Sequence, residues 1–150
     1  MHNVAAKVMT ELNKLKRAYD TYILEMLDAF HMTKLEIDIL GFLANNPAYD
    51  TAKDIELVRQ FKKSNISTAV DALLHKGMIT KIQDLEDRRV MHLKLMEEAT
   101  PIVEKIQAVQ ETFFKQIFQD ISPSEMEQYF ATWMKMMNNV SRIGDSYEAQ

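Results

Sequence analysis

Helix breakers are scarce in this chain, and that restricts its fold more than anything else: 150 residues contain only three glycines and three prolines. Between these breakers apolar residues return at three- and four-residue steps, the period of a helix with one side turned to a core. From Val4 to Phe30 the positions Val8, Leu12, Leu15, Tyr19, Tyr22, Ile23, Met26, Leu27 and Phe30 keep that step, which predicts one long amphipathic helix. A helix of that length gains its stability from whatever its apolar side rests on. Thr33 and Glu36 have the spacing of a reciprocal cap for a second helix through Ile39, Leu40 and Leu43, which stops at Asn45-Asn46-Pro47. Thr51 and Asp54 repeat the signal for a third, and Phe61-Lys62-Lys63 leaves room only for a tight turn. The third and fourth helices are therefore expected to form a bent pair.

The fourth helix is expected to begin at Ser64 and run to Gly77, whose freedom at positive φ ends a helix cheaply. At about 100° per residue, Ile66, Val70, Leu73 and Leu74 fall on one side, while Ser64, Thr68, Asp71, Ala72 and His75 face away. Two stretches of alternating polarity follow, Ile79 to Gln83 and Val90 to Leu95, joined by Asp84-Leu85-Glu86-Asp87-Arg88-Arg89. Two more helices complete the chain, from Glu97 to about Phe118 and from the cap Ser122-Pro123-Ser124-Glu125 onward. Phe113, Phe114, Ile117, Phe118, Tyr129, Phe130, Trp133 and Met134 make these last helices apolar on more than one side, so more than one packing partner is expected. The reading is a mainly α protein with a small two-stranded wing, in one domain. It comprises a winged helix-turn-helix over residues 33–95 and a helical dimerisation part over residues 1–30 and 97–145.

Charge is unevenly spread. The net charge is −4, yet residues 51–94 carry nine Lys or Arg against six Asp or Glu, and residues 95–150 carry four against nine. Phosphate binding depends on local charge because salt screens the rest within about 10 Å, so an acidic total does not exclude nucleic acid. The absence of cysteine excludes disulfides and thiolate chemistry. The first residues lack the basic stretch and apolar run of a signal peptide, and no run of about 18 apolar residues occurs, which predicts a soluble cytoplasmic protein with no membrane partner. His2, His31, His75 and His92 stand at no metal-ligand spacing, so no metal and no cofactor is expected. No nucleophile and base, and no phosphate-cradling glycine loop, suggests an enzyme. The eleven methionines sit mostly at core spacing, where a flexible side chain fills gaps.

The order of elements resembles the multiple antibiotic resistance regulator (MarR) family of winged helix-turn-helix transcription factors. The specific part is Leu73-Leu74-His75-Lys76-Gly77-Met78-Ile79 at the end of the fourth helix, followed by Asp84-x-x-Asp87-x-Arg89 and the strand Leu93-x-Leu95. The resemblance implies a sequence-specific DNA-binding regulator, a ligand-responsive repressor acting as a homodimer on a palindromic operator in double-stranded DNA. It implies that Arg89 enters the minor groove while Asp87 holds its guanidinium, that Arg88, Lys62 and Lys63 meet phosphates, and that Ser64, Asn65, Ser67 and Thr68 meet base edges and phosphates. It also implies a crevice for a small aromatic or amphipathic effector near Tyr19, Tyr22, Phe30 and His31. Where the family often continues with Leu-Thr and a glycine, this chain has Leu95-Met96-Glu97-Glu98-Ala99, so the entry to the next helix is expected to differ. The outward side of the fourth helix has Asp71 and no arginine. That leaves a second expectation beside the first, a helical protein-interaction module whose winged helix no longer binds DNA.

Overall fold

A computed structural model describes residues 2–59 and 61–148, with the side chains of residues 2, 3, 5, 25–27 and 144–148 outside that description. The expected apolar positions Met26 and Leu27 fall among the latter. The chain forms α1 (His2–Phe30), α2 (Lys34–Asn45), α3 (Ala52–Arg59), α4 (Lys63–His75), β1 (Ile79–Gln83), β2 (Met91–Leu95), a 3₁₀ turn (Glu97–Ala99), α5 (Thr100–Ile117) and α6 (Pro123–Glu148). It divides into two compact units, residues 1–113 and 114–150. No helix among the described residues is long and apolar enough to cross a membrane.

The first unit is built on α2. Ile37, Ile39, Leu40 and Phe42 from α2 are buried together with Ile55 of α3, with Ile66, Val70 and Leu73 of α4, and with Ile102 and Ile106 of α5. Burying a side chain of this size stabilises the fold by roughly 1.5–3 kcal/mol, so this cluster holds α4 against the body. Gly41 lets α5 come close to α2: a Cβ there would lie 3.3 Å from Ile106 Cγ2. The expected caps form. Thr33 accepts from the Glu36 amide at 3.3 Å while Glu36 accepts from the Thr33 amide at 2.6 Å. Thr51 and Asp54 repeat that exchange at 3.1 and 3.0 Å, and Ser122 and Glu125 at 3.3 and 2.9 Å. Gly77 sits at φ +70°, as its place after α4 predicts.

The starts of α4 and α5 differ from the sequence expectation. Helix α4 begins at Lys63, with Lys62 at the cap position and no side-chain cap, so Ser64 lies inside the first turn instead of opening the helix. The Ser64 carbonyl accepts from the Thr68 hydroxyl at 3.0 Å. After the wing, Glu97 to Ala99 form a 3₁₀ turn and the α-helix proper starts at Thr100, one residue before Pro101, whose missing N–H is harmless in a first turn.

Strands β1 and β2 pair antiparallel, with Ile79 opposite Leu95, Lys81 opposite Leu93 and Gln83 opposite Met91. Leu93 is buried and Met91 and Leu95 are half-buried, so one side of the ribbon rests on the core as the alternation predicts. The ribbon gains a third edge from the segment before α3: Thr51 bridges His92, and the Leu93 amide donates to the Asp50 carbonyl at 2.6 Å.

Helix α1 changes character along its length. Tyr19 and Phe30 are half-buried against the first unit's core and Ile23 is fully buried within it, whereas Val4, Val8, Met9, Leu12 and Leu15 are exposed. In the second unit Phe118 lies 5.8 Å from Tyr129 and 6.3 Å from Phe130, and Tyr129 lies 6.3 Å from Trp133, ring centre to ring centre. Met134, Met136, Val140 and Ile143 farther along α6 are exposed.

Candidate DNA interface

Helix α4 is held by its apolar side, which leaves Ser64, Asn65, Ser67 and Thr68 exposed on the other. The Thr68 hydroxyl spends its proton on the Ser64 carbonyl, so toward a partner it offers lone pairs alone. Lys62 and Lys63 are exposed where α4 starts, beside first-turn amides that no side chain caps. Cations and open amides at a helix start suit a phosphate oxygen.

The wing tip is organised by its carboxylates. Asp84 Oδ1 accepts from the Glu86 and Asp87 amides at 2.8 and 2.7 Å, which closes the turn. Those amide bonds, with His92, hold the Asp84 carboxyl at about 2. Asp87 Oδ1 then accepts from the Arg89 amide at 3.0 Å and from Arg89 Nε at 3.3 Å. Because the brace uses Nε, the two terminal amino groups of the guanidinium stay in solvent, and the side chain is 92% exposed. The Arg88 side chain is exposed too, and its carbonyl accepts from Gln83 Nε2 at 2.8 Å.

A cleft of about 550 Å³ separates α3, α4 and the wing, and Lys53, Lys63, Ser67, Lys81 and Arg89 all line it. The structure thus brings Lys63, Ser67 and Arg89, 26 residues apart in sequence at the extremes, to one concave surface. Asp71 lies on the same surface, and Lys81 Nζ stands 3.7 Å from its carboxylate, which offsets the negative charge on the outward side of α4.

Residues 32–90 match the MarR family model. By sequence this winged-helix segment is similar to the MarR family. The match runs from the end of α1 to the last residue before β2 and so contains α2, α3, α4 and the wing tip. Solved MarR-family structures resemble the chain over more than that segment. A MarR-family transcriptional regulator from Silicibacter pomeroyi shares 21% identity over 86% of this chain and 86% of its own, with a TM-score of 0.73. A MarR protein from Peptoclostridium difficile shares 19% over 90% and 88%, with a TM-score of 0.73. The S. aureus MepR structure, a complex with DNA, shares 21% over 85% and 96%, with a TM-score of 0.57. These likenesses establish a MarR winged-helix fold, mainly α with a two-stranded wing.

Several polar contacts of this winged-helix segment had no signal in the sequence. Lys76, at the end of α4, donates to Glu36 Oε1 at 2.7 Å, and Glu36 is buried. Burial by itself raises a carboxyl, but the bonds from Lys76 and Thr33 hold Glu36 below its ordinary value. His92 stands between Asp50 at 2.5 Å and Asp84 at 3.0 Å, and Lys94 also pairs with Asp50. The Asp84 turn could have been read from an aspartate two and three residues before the amides it accepts. Asp50 and His92 are 42 residues apart, and only the fold joins them.

The four residues expected around an effector crevice divide between two places. Tyr19 and Tyr22 both meet the edge of Phe113 at 5.4 Å, and the Tyr19 hydroxyl accepts from Gln110 Nε2 at 3.0 Å. His31, at φ +51°, lines a separate cleft of about 610 Å³ with Asp28, Glu36, Ala72 and Lys76, while Phe30 is half-buried against the core.

Proposed function

We propose that this protein is a sequence-specific DNA-binding transcriptional regulator, working in the cytoplasm as a homodimeric, ligand-responsive repressor on a palindromic operator. The observation that carries the reading is the shared cleft: an α4 side chain, Ser67, and the braced wing cation Arg89 face one concave surface that also has Lys53, Lys63 and Lys81 on it. A helix of this width fits the major groove, and a ribbon tip with a free guanidinium fits the narrow, negative minor groove beside it. Ser64, Asn65, Ser67 and Thr68 then meet bases and nearby phosphates, Lys62, Lys63 and Arg88 meet phosphates, and Arg89 steadied by Asp87 enters the minor groove. S. aureus MepR, whose fold this chain shares, is known in a complex with DNA, which supports the DNA-binding reading.

Dimerisation rests on the exposed apolar residues of the two chain ends. Val4, Val8, Met9, Leu12 and Leu15 on α1, and Met134, Met136, Val140 and Ile143 on α6, are exposed in runs along their helices, the kind of surface that marks an interface. Residues 1–30 and 97–145 form the dimerising part and residues 33–95 the reading head, so a two-fold axis places two α4 helices about one DNA turn apart. An effector acts by changing that spacing, with Tyr19, Tyr22, Phe30 and His31 as its candidate contacts.

The test is a gel shift with the DNA upstream of the protein's own gene, at two salt concentrations and with excess random duplex. A specific band that survives competition supports the regulator, and Arg89→Ala should weaken it by about 1–3 kcal/mol, from fivefold to somewhat over a hundredfold. Retention of no specific band would favour a protein-interaction module instead. An Arg89→Ala band of unchanged strength would remove Arg89 from the interface.

A further inference from the structure

The wing tip is tied to the start of α3 through one imidazole. His92 Nδ1 lies 2.5 Å from Asp50 Oδ1, in the segment that leads into α3, and its Nε2 lies 3.0 Å from Asp84 Oδ2, at the start of the wing tip. Both partners are carboxylates, which accept and do not donate, so both ring nitrogens must carry hydrogen for the two bonds to exist together. That is the imidazolium. From Asp84 the path continues through the Glu86 and Asp87 amides on its other oxygen, and from Asp87 to the amide and Nε of Arg89. From Asp50 it continues into the body, because the Asp50 carbonyl accepts from the Leu93 amide and Thr51, the next residue, caps α3 with Asp54.

We propose that His92, held as an imidazolium between Asp50 and Asp84, is a positioning residue that sets the wing arginine for DNA and lets it go when the proton is lost. This rests on the DNA-binding reading above and adds a regulation to it: operator binding falls as pH rises. When the ring becomes neutral one of its nitrogens turns a lone pair toward a carboxylate, so one of the two bonds is replaced by repulsion and the wing tip loses its anchor.

The charged groups facing the ring keep the change confined to it. Asp84 stays ionised because the backbone amides of Asp87 and Glu86 and His92 itself hold its carboxyl at about 2. Burial works to raise Asp50, but the bonds from His92 and Lys94 bring its carboxyl below the ordinary value. Lys94 is the other cation on Asp50, and it remains on that carboxylate when His92 is neutral. Across the ladder Lys81 is turned to Asp71, and Asp54 on α3 is engaged with Thr51. The hydrogen bonds from His92 to Asp50 and Asp84 raise its proton affinity above the ordinary 6.5. A raised histidine holds fully below 6.5 and lets go as pH climbs through its own higher midpoint.

Two measurements on the full-length protein decide this. In the free protein, NMR should place the His92 ring midpoint above 6.5, with the Glu86, Asp87 and Arg89 amide resonances moving on the same midpoint. Fluorescence anisotropy with an operator duplex at constant ionic strength should show affinity falling about tenfold from pH 6 to pH 9. His92→Gln and Asp50→Asn should bind weakly with a flat profile, their thermal melts confirming that both fold, and His75→Gln, which alters the exposed histidine of α4, should keep the slope. A slope that survives His92→Gln, a ring midpoint at or below 6.5, or wing amides that stay still while the ring titrates would overturn the proposal. If no duplex binds at any pH, the DNA reading fails, and the latch is then judged by the wing amides alone.

Discussion

Replacing Lys76 with methionine tests how α4 is held. Glu36 has a side chain 4% exposed, with Oε2 taken by the Thr33 amide at 2.6 Å and Oε1 by Lys76 Nζ at 2.7 Å. Methionine keeps the apolar stem and removes the cation, leaving a buried carboxylate satisfied only on its capping side. A hydrogen bond between charged groups contributes about 1.5–3 kcal/mol, and because Lys76 is itself 35% exposed, solvent screening reduces the expected loss to about 1–2 kcal/mol. Glu36→Ala also removes the cap, which adds about 1 kcal/mol. The assay is urea unfolding at pH 7 and fixed protein concentration, since association would otherwise shift the apparent stability. For a chain of this size each kcal/mol corresponds to about 2–4 °C in Tm. Glu36 lies below its ordinary value of 4.5, so the pair's contribution is full above that pH and fades as pH falls through the lower folded value. The gap between wild type and Lys76→Met should close in acid accordingly. A loss under about 0.5 kcal/mol, or a Lys76→Met and Glu36→Gln cycle additive to within about 0.5 kcal/mol, would refute the reasoning.

Two other outcomes follow from the site and the chain ends. Lys63→Ala should lower the slope of log affinity against log salt by about one, since one released counterion is lost; an unaltered slope removes Lys63 from phosphate contact. Sedimentation at micromolar concentration should show a dimer, and Leu12→Glu, which puts a charge among the exposed apolar residues of α1, should shift it to monomer with the melting of the first unit little changed. A stable wild-type monomer would remove the dimer from the proposed mechanism.

What could be read from the sequence is what physics settles within a few residues. Thr33 with Glu36, Thr51 with Asp54 and Ser122 with Glu125 are three residues apart, so each cap closes whatever the rest of the chain does. Gly77 ends α4 by its own conformational freedom, and Asp87 reaches Arg89 across two residues. Periodicity likewise foretold which side of α4 is buried, because a helix leaves no choice once its apolar residues are in register.

Longer-range pairings belong to the tertiary structure alone. Lys76 meets Glu36 across 40 residues, His92 meets Asp50 across 42, and Gln110 meets Tyr19 across 91. Each needs α2 packed on α4, the wing on the segment before α3, or α5 on α1, and no residue type announces its partner at such a distance. Asp71 shows the difference plainly: on the helix alone it is a repulsive charge, and only the fold brings Lys81 beside it. The start of α4 at Lys63 is of the same kind, since Ser64 has the chemistry of a cap but the bend after α3 admits one more residue to the helix. The sequence by itself therefore determined the elements, their capped starts and their order along the chain, because those are local energies. Which charges meet, and hence how the wing and α4 are held, was decided by packing, because ion pairs form wherever the buried apolar surfaces happen to bring the backbone together.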